Sequence, residues 1–169
     1  MLKLFTALRS LVYATAFAYL WGYLSLGVRR YDKEFGLEFP VEIMFLGTAC
    51  MVAGGMIVFS CIGSFVLQGD GTPAPFDAPK RLVARGPYRY VRNPMYIGAA
   101  IVLVGFGLYY QSGSMALFAL PFLVICHLFV LFYEEPALRG SFGEEYIDYT
   151  QRVNRWVPKS PVKSSPLNS

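Results

Sequence analysis

The stretch that decides the fold is Arg85-Gly-Pro-Tyr-Arg-Tyr-Val-Arg-Asn-Pro-Met-Tyr-Ile-Gly98, followed by an apolar run that reaches Tyr133 and closes on Glu134-Glu135. From Asn93 to Tyr133 no residue is charged at neutral pH. The run is roughly twice the ~20 residues that one membrane helix needs, and its one polar cluster, Gln111-Ser-Gly-Ser114, sits near the middle. It therefore reads as a helical hairpin, entered through a basic, aromatic loop and left through an acidic pair. Both ends of a hairpin lie on one side of the membrane, so the loop and the two carboxylates are brought together.

Composition agrees with a membrane class. Of the 169 residues, 55% are hydrophobic and 15% charged, and the mean hydropathy is +0.43. A soluble domain carries about a quarter charged residues. The formal charge of +4 is too small to argue for nucleic acid. Cys50, Cys61 and Cys126 all fall inside apolar runs, no C-x-x-C occurs and there is one histidine, so no metal site is expected. The cysteines read as small buried hydrophobes.

Outward from the hairpin, two more spans precede it. Ser10 to Val28 follows Lys3 and Arg9 and is read as a retained helix rather than a cleaved signal, because it is long and further spans follow. Ile43 to Leu67 is the second span, with Ala49/Ala53 and Ser60/Ser64 at the small-xxx-small spacing that permits close helix contact. Gln68 to Lys80, with three prolines and two glycines, is a loop. Asn93 suits an N-cap and Pro94 the first position of the third helix, which runs to Tyr110. The fourth covers Met115 to Tyr133, and Pro121 is expected to kink it.

Beyond Glu135, Ser141-Phe-Gly-Glu144 has capping-box spacing. Leu138, Phe142, Tyr146, Tyr149, Val153 and Trp156 then recur at helical steps and form one apolar stripe. The expectation is an all-α integral membrane protein with about four transmembrane helices, a helical hairpin and a C-terminal amphipathic interfacial helix. That helix lies along the membrane surface or folds back over the loop. Residues 1–158 form a single domain, and 159–169 a disordered tail.

Twelve of the lysines and arginines fall at the N-terminus, in the loop after the second span and in the tail, against three in the loop after the first span. This places both termini in the cytoplasm.

Three features carry chemistry. Glu134 and Glu135 are adjacent anions at a helix C-terminal end, where the dipole disfavours them. They call for a cation, either the basic loop or a ligand. Tyr88, Tyr90, Tyr96, Arg85, Arg89 and Arg92 read singly as interfacial anchors. As a string fixed by Gly86-Pro87 and Asn93-Pro94 they read as a rigid turn able to hold a zwitterionic, aromatic ligand. His127 stands two turns before Glu134 on nearly the same helix face. A histidine within a membrane span is a candidate functional group, with a hydrogen bond to a neighbouring helix as the alternative.

Leu82-Val83-x-x-Gly86-x-Tyr88 with Arg92-Asn93-Pro94-Met95-Tyr96-x-Gly98, then Glu134-Glu135-x-x-Leu138 with Phe142-Gly143, Tyr146, Tyr149 and Pro158, resembles the signature of isoprenylcysteine carboxyl methyltransferases. Phospholipid methyltransferases are similar in this region. The resemblance covers about half of the chain. It implies an integral-membrane methyltransferase that uses S-adenosylmethionine at the cytoplasmic face. It also implies that Leu82, Val83, Tyr88, Asn93, Pro94, Met95, Tyr96 and Glu134, with Glu135 beside it, line the cofactor site. Arg92 is a candidate for the cofactor carboxylate, and His127 for orienting or deprotonating the acceptor.

Two departures stand out. Asn93 occupies a position that is usually histidine in eukaryotic members. The turn before the acidic pair, Phe129-Val130-Leu131, lacks the arginine that would hold a substrate carboxylate. A prenylated cysteine carboxylate, a lipid amine and a small thiol stay open as acceptors. Membrane lipid is an expected partner; nucleic acid and metal are not. A sterol-type reductase using NADPH ranks second, because it would need positive charge where Glu134 and Glu135 stand. A non-catalytic membrane scaffold ranks third.

Overall fold

The computed structural model describes residues 2–69 and 81–159. Most of the loop expected at Gln68 to Lys80, and all but the first residue of the tail expected to be disordered, lie outside the described residues. The elements are α1 (Leu2–Val28), α2 (Asp32–Phe35), α3 (Met44–Ser64), α4 (Pro94–Tyr109), α5 (Gly113–Leu117), α6 (Ala119–Phe129) and α7 (Glu135–Arg152). Among the described residues there is no strand, only two isolated bridges, Glu38 with Ser112 and Val91 with Asn154. The fold is all-α and integral to the membrane.

Three helical stretches, Leu4–Phe35, Val41–Gln68 and Gly113–Arg152, are long and apolar enough to cross a bilayer. The expected third span is shorter. α4 has 16 residues, about 24 Å of rise. It is nevertheless packed along α3 in antiparallel fashion by glycines two turns apart on each helix. A Cβ on Gly54 would stand 2.5 Å from the carbonyl oxygen of Gly98, and one on Gly47 would stand 2.7 Å from that of Gly105. In lipid, helix association depends on such close backbone approach, since burial of apolar surface gives no advantage there. The contact face is thus Gly47/Gly54 and not the Ala49/Ala53 pair read from spacing, both of which are exposed. α1 closes the bundle through Trp21, whose ring meets Phe122 edge-on at 4.8 Å.

The hairpin turn falls where the polar cluster placed it. Gln111 takes a left-handed φ of 55°, and Ser112 caps α5 by accepting the N–H of Met115 at 3.1 Å. The α1–α3 connection meets this turn: Gly113 N–H donates to the Leu37 carbonyl at 2.7 Å, and Arg29 donates to that of Tyr110 at 3.4 Å. The second arm of the hairpin breaks at Phe118, one turn before Pro121, because proline cannot supply the N–H that would continue the ladder. It then passes through a π-helical segment, Val130–Glu134, before α7 begins. Gly143 (φ 52°, ψ −127°) interrupts α7, two residues beyond the Ser141 start that the capping-box spacing suggests.

Candidate functional site

At the end of the bundle opposite the hairpin turn, the end of α3, the loop 82–93, the start of α4 and the α6–α7 junction enclose a cavity of about 90 Å³. Its walls include Phe65, Leu82, Val83, Tyr88, Tyr96, Tyr146 and Tyr149, and its polar groups include Arg92, Asn93, Glu134 and Glu135. The stripe on α7 produces this arrangement by folding back. Tyr146, Tyr149 and Val153 cluster with Leu82 and Ala84, and the Tyr149 hydroxyl donates to the Tyr88 carbonyl at 2.6 Å. The interfacial helix therefore covers the loop. Beyond it the chain pairs with the loop backbone: Arg92 N–H donates to the Asn154 carbonyl at 2.8 Å and Asn93 N–H to that of Arg155 at 3.3 Å.

The two glutamates part company. Glu135 is buried and held by Arg155 through Nε at 2.7 Å and Nη2 at 2.9 Å, and by Arg92 Nη2 at 3.1 Å. Hydrogen bonding to Glu135 in turn holds the Arg155 guanidinium above its usual range. Among the described residues Glu134 has no ion pair with a guanidinium. Among the described residues its hydrogen bond comes from the Tyr96 hydroxyl, at 3.1 Å to Oε2. Consecutive helical residues point about 100° apart, so one carboxylate faces the returning chain and the other faces the cavity. Arg92 keeps a buried Nε with no hydrogen-bond partner among the described residues, on a side chain that lines the cavity. Burial pushes the Tyr88 phenol well above its ordinary pKa, with Cys61 and Glu134 adding to the shift, so this wall is a neutral ring.

Not every sequence-predicted residue reaches the cavity. Pro94 sits buried at the first turn of α4, and Met95 packs behind the wall on Cys61, Val83 and Tyr88. Asn93 occupies the N-cap position but caps nothing with its side chain; its amide donates instead to the Arg155 carbonyl at 3.2 Å. His127 is not among the lining residues. Its Nδ1 accepts the indole N–H of Trp156 at 3.0 Å. Indole nitrogen is only a donor, so the ring proton of a neutral His127 is on Nε2. Its basic lone pair is engaged.

Arg155 and Trp156 are the residues that sequence reading passed over as functional. Trp156 was visible as the last member of the stripe. For Arg155, and for Phe65 in the π-helical end of α3, the sequence carried no signal. The three thiols are free, and among the described residues no group of three metal-ligating side chains occurs.

Residues 43–145 match the sequence model of the phospholipid methyltransferase family. The chain belongs to that family. Phosphatidylethanolamine N-methyltransferase B of Dictyostelium discoideum is 26% identical over 117 residues, which cover 66% of this chain and 57% of that protein. An uncharacterized protein of Haemophilus influenzae is 30% identical over 63 residues, 37% of this chain and the whole of that protein. The chain thus spans little more than half the length of the first of these relatives. No solved structure matches. The matched segment contains most of the cavity's walls.

Proposed function

We propose that this membrane protein transfers a methyl group from S-adenosylmethionine to a lipid-borne or small acceptor at the cytoplasmic face. The observation that carries the reading is Glu134, a carboxylate beside aromatic walls that has no cationic partner among the described residues. The donor set fits the cofactor. Glu134 matches its cationic groups, the unpartnered Arg92 Nε–H matches its carboxylate, and the tyrosine walls match its adenine. Bound there, S-adenosylmethionine supplies an activated methyl on sulfur.

The chain's own contribution is alignment and dryness, which suffice for an in-line displacement. Glu134 sets the position of positive charge, with Tyr96 orienting the carboxylate. Arg92 and Arg155, bridged by the single carboxylate of Glu135, fix the loop and the returning chain around the site. His127 does not line the cavity and its Nδ1 lone pair is held by Trp156, so it supports the site through Trp156 and is not the base. The acceptor atom is then either unprotonated from the start or, if an amine, gives its ammonium proton to solvent before it attacks. A lipid amine is the favoured acceptor: it suits the apolar Phe129-Val130-Leu131 turn, which offers no cation for a carboxylate, and it is the chemistry named for the Dictyostelium relative.

Binding to detergent-purified protein tests the reading. S-adenosylmethionine should bind and NADPH should not. The reverse would favour the reductase reading, and binding of neither would favour a scaffold. The cytoplasmic assignment is checked separately with single cysteines placed in the Gln68 to Lys80 loop. Labelling of those thiols only from outside the cell would overturn it.

A further inference from the structure

We infer that Trp156 is a positioning residue for Glu134, acting through Tyr96 on one side and His127 on the other. The inference rests on the reading of Glu134 as counter-charge to a cationic cofactor, and it extends the site past residue 145, where the family match ends.

Trp156 is wedged between two helices that must keep their spacing if the cavity is to keep its shape. Its N–H donates to His127 on α6 at 3.0 Å. Its ring lies against that of Tyr96 on α4, with centroids 6.5 Å apart, and it packs on the core cluster of Ala100, Phe122 and Cys126. The backbone just before it is tied to Arg92 and Asn93, and Arg155 is tied to Glu135. Trp156 is therefore a fixed peg and not the start of a loose tail.

Tyr96 is the hydrogen-bond partner of Glu134, so its rotamer decides where that carboxylate points. The indole against its ring restricts the rotamer. Glu134 itself follows His127 on the same helical arm, across the π-helical segment Val130–Glu134, so a shift of α6 at His127 carries to it. One indole thus constrains both partners of the Tyr96–Glu134 bond. Its side chain does not line the cavity, so it acts on a ligand only through them.

A packing role alone would weaken every ligand alike. A positioning role makes a distinct demand: it should act on ligand charge. The test compares two probes on the detergent-purified full chain, S-adenosylmethionine and 5′-methylthioadenosine. The second keeps the nucleoside and the sulfur but lacks both cationic groups and the carboxylate. Wild-type protein should favour the first, and Trp156→Ala should cut that preference by about tenfold, within the range of coupling between residues in contact.

Trp156→Phe, which keeps a ring and removes the N–H, should fall between the two. In a Glu134→Gln background, where the part of the preference owed to Glu134 is already lost and the part owed to Arg92 stays, Trp156→Ala should cut it no further. If Trp156→Ala does not fold, Trp156→Phe carries the test by the same ratio. Equal weakening of both probes, or an unchanged ratio in Trp156→Phe, would reduce Trp156 to packing while leaving the cofactor reading intact. A wild-type protein that binds neither probe would overturn the cofactor reading, and this inference with it.

Discussion

At the turn end of the bundle the carboxylate of Asp32 is buried and accepts the backbone N–H of Ser114 at 2.9 Å, whereas at the cavity end Glu134 has, among the described residues, the phenol of Tyr96 alone. The turn end is closed by its own backbone. Phe39 donates to Gln111, Gly113 to Leu37, and Ser112 to Gly107. The cavity end is closed at Glu135, by two arginines, and left open at Glu134 and at the Arg92 Nε. A buried polar group without a full set of partners costs stability. Such a cost persists where the group meets something that comes and goes. The difference between the ends separates a carboxylate that holds the fold from one that is available to a ligand.

Breaking the open end should give the largest effect. Glu134→Ala should weaken S-adenosylmethionine binding by about 2–5 kcal/mol, the loss expected when a desolvated cation loses its counter-charge, with thermal stability unchanged or raised. Titration calorimetry and a melting curve on the same preparation would show both; unchanged affinity in the folded variant would return Glu134 to an interfacial role.

Glu135→Ala should do the opposite. Leaving Arg92 and Arg155 facing one another without their anion should cost about 3 kcal/mol of stability, read as a drop in melting temperature. If melting is unaffected, the ion pairs are not what binds the returning chain to the loop. Asp32→Ala carries the comparison to the turn end. It should cost about 2 kcal/mol by removing a charged acceptor from the Ser114 N–H, with cofactor affinity untouched, and a loss of affinity there would show that the two ends are coupled.

His127→Phe should have the smallest effect. It removes one neutral hydrogen bond, about 1 kcal/mol, and should lower cofactor affinity slightly and turnover in proportion. A collapse of turnover at unchanged affinity would instead restore His127 as a base.

Much of this was legible in residue order. The uncharged run from Asn93 to Tyr133 fixed a hairpin, and the hairpin fixed the meeting of the Arg85–Gly98 loop with Glu134-Glu135. The α7 stripe predicted an apolar face that had to be covered. These are one-dimensional consequences of hydropathy and helical period, which act on segments and need no partner to be named.

The sequence alone left open which carboxylate is free, which glycines join α3 to α4, and where the indole of Trp156 goes. Glu134 and Glu135 are chemically identical and adjacent. Their roles are set by where each side chain leaves the helix and by Arg155, twenty residues on, arriving beside only one of them. Asn93 was read as a cap, yet its amide bonds to the returning chain because that chain supplies a carbonyl at the same place. Gly47 and Gly54 became the contact face because Gly105 and Gly98 oppose them, which no single helix encodes. Hydropathy and helical period determined the segments and their order. Tertiary structure decided the pairings, because a hydrogen bond or a close backbone approach is a property of two partners and their geometry.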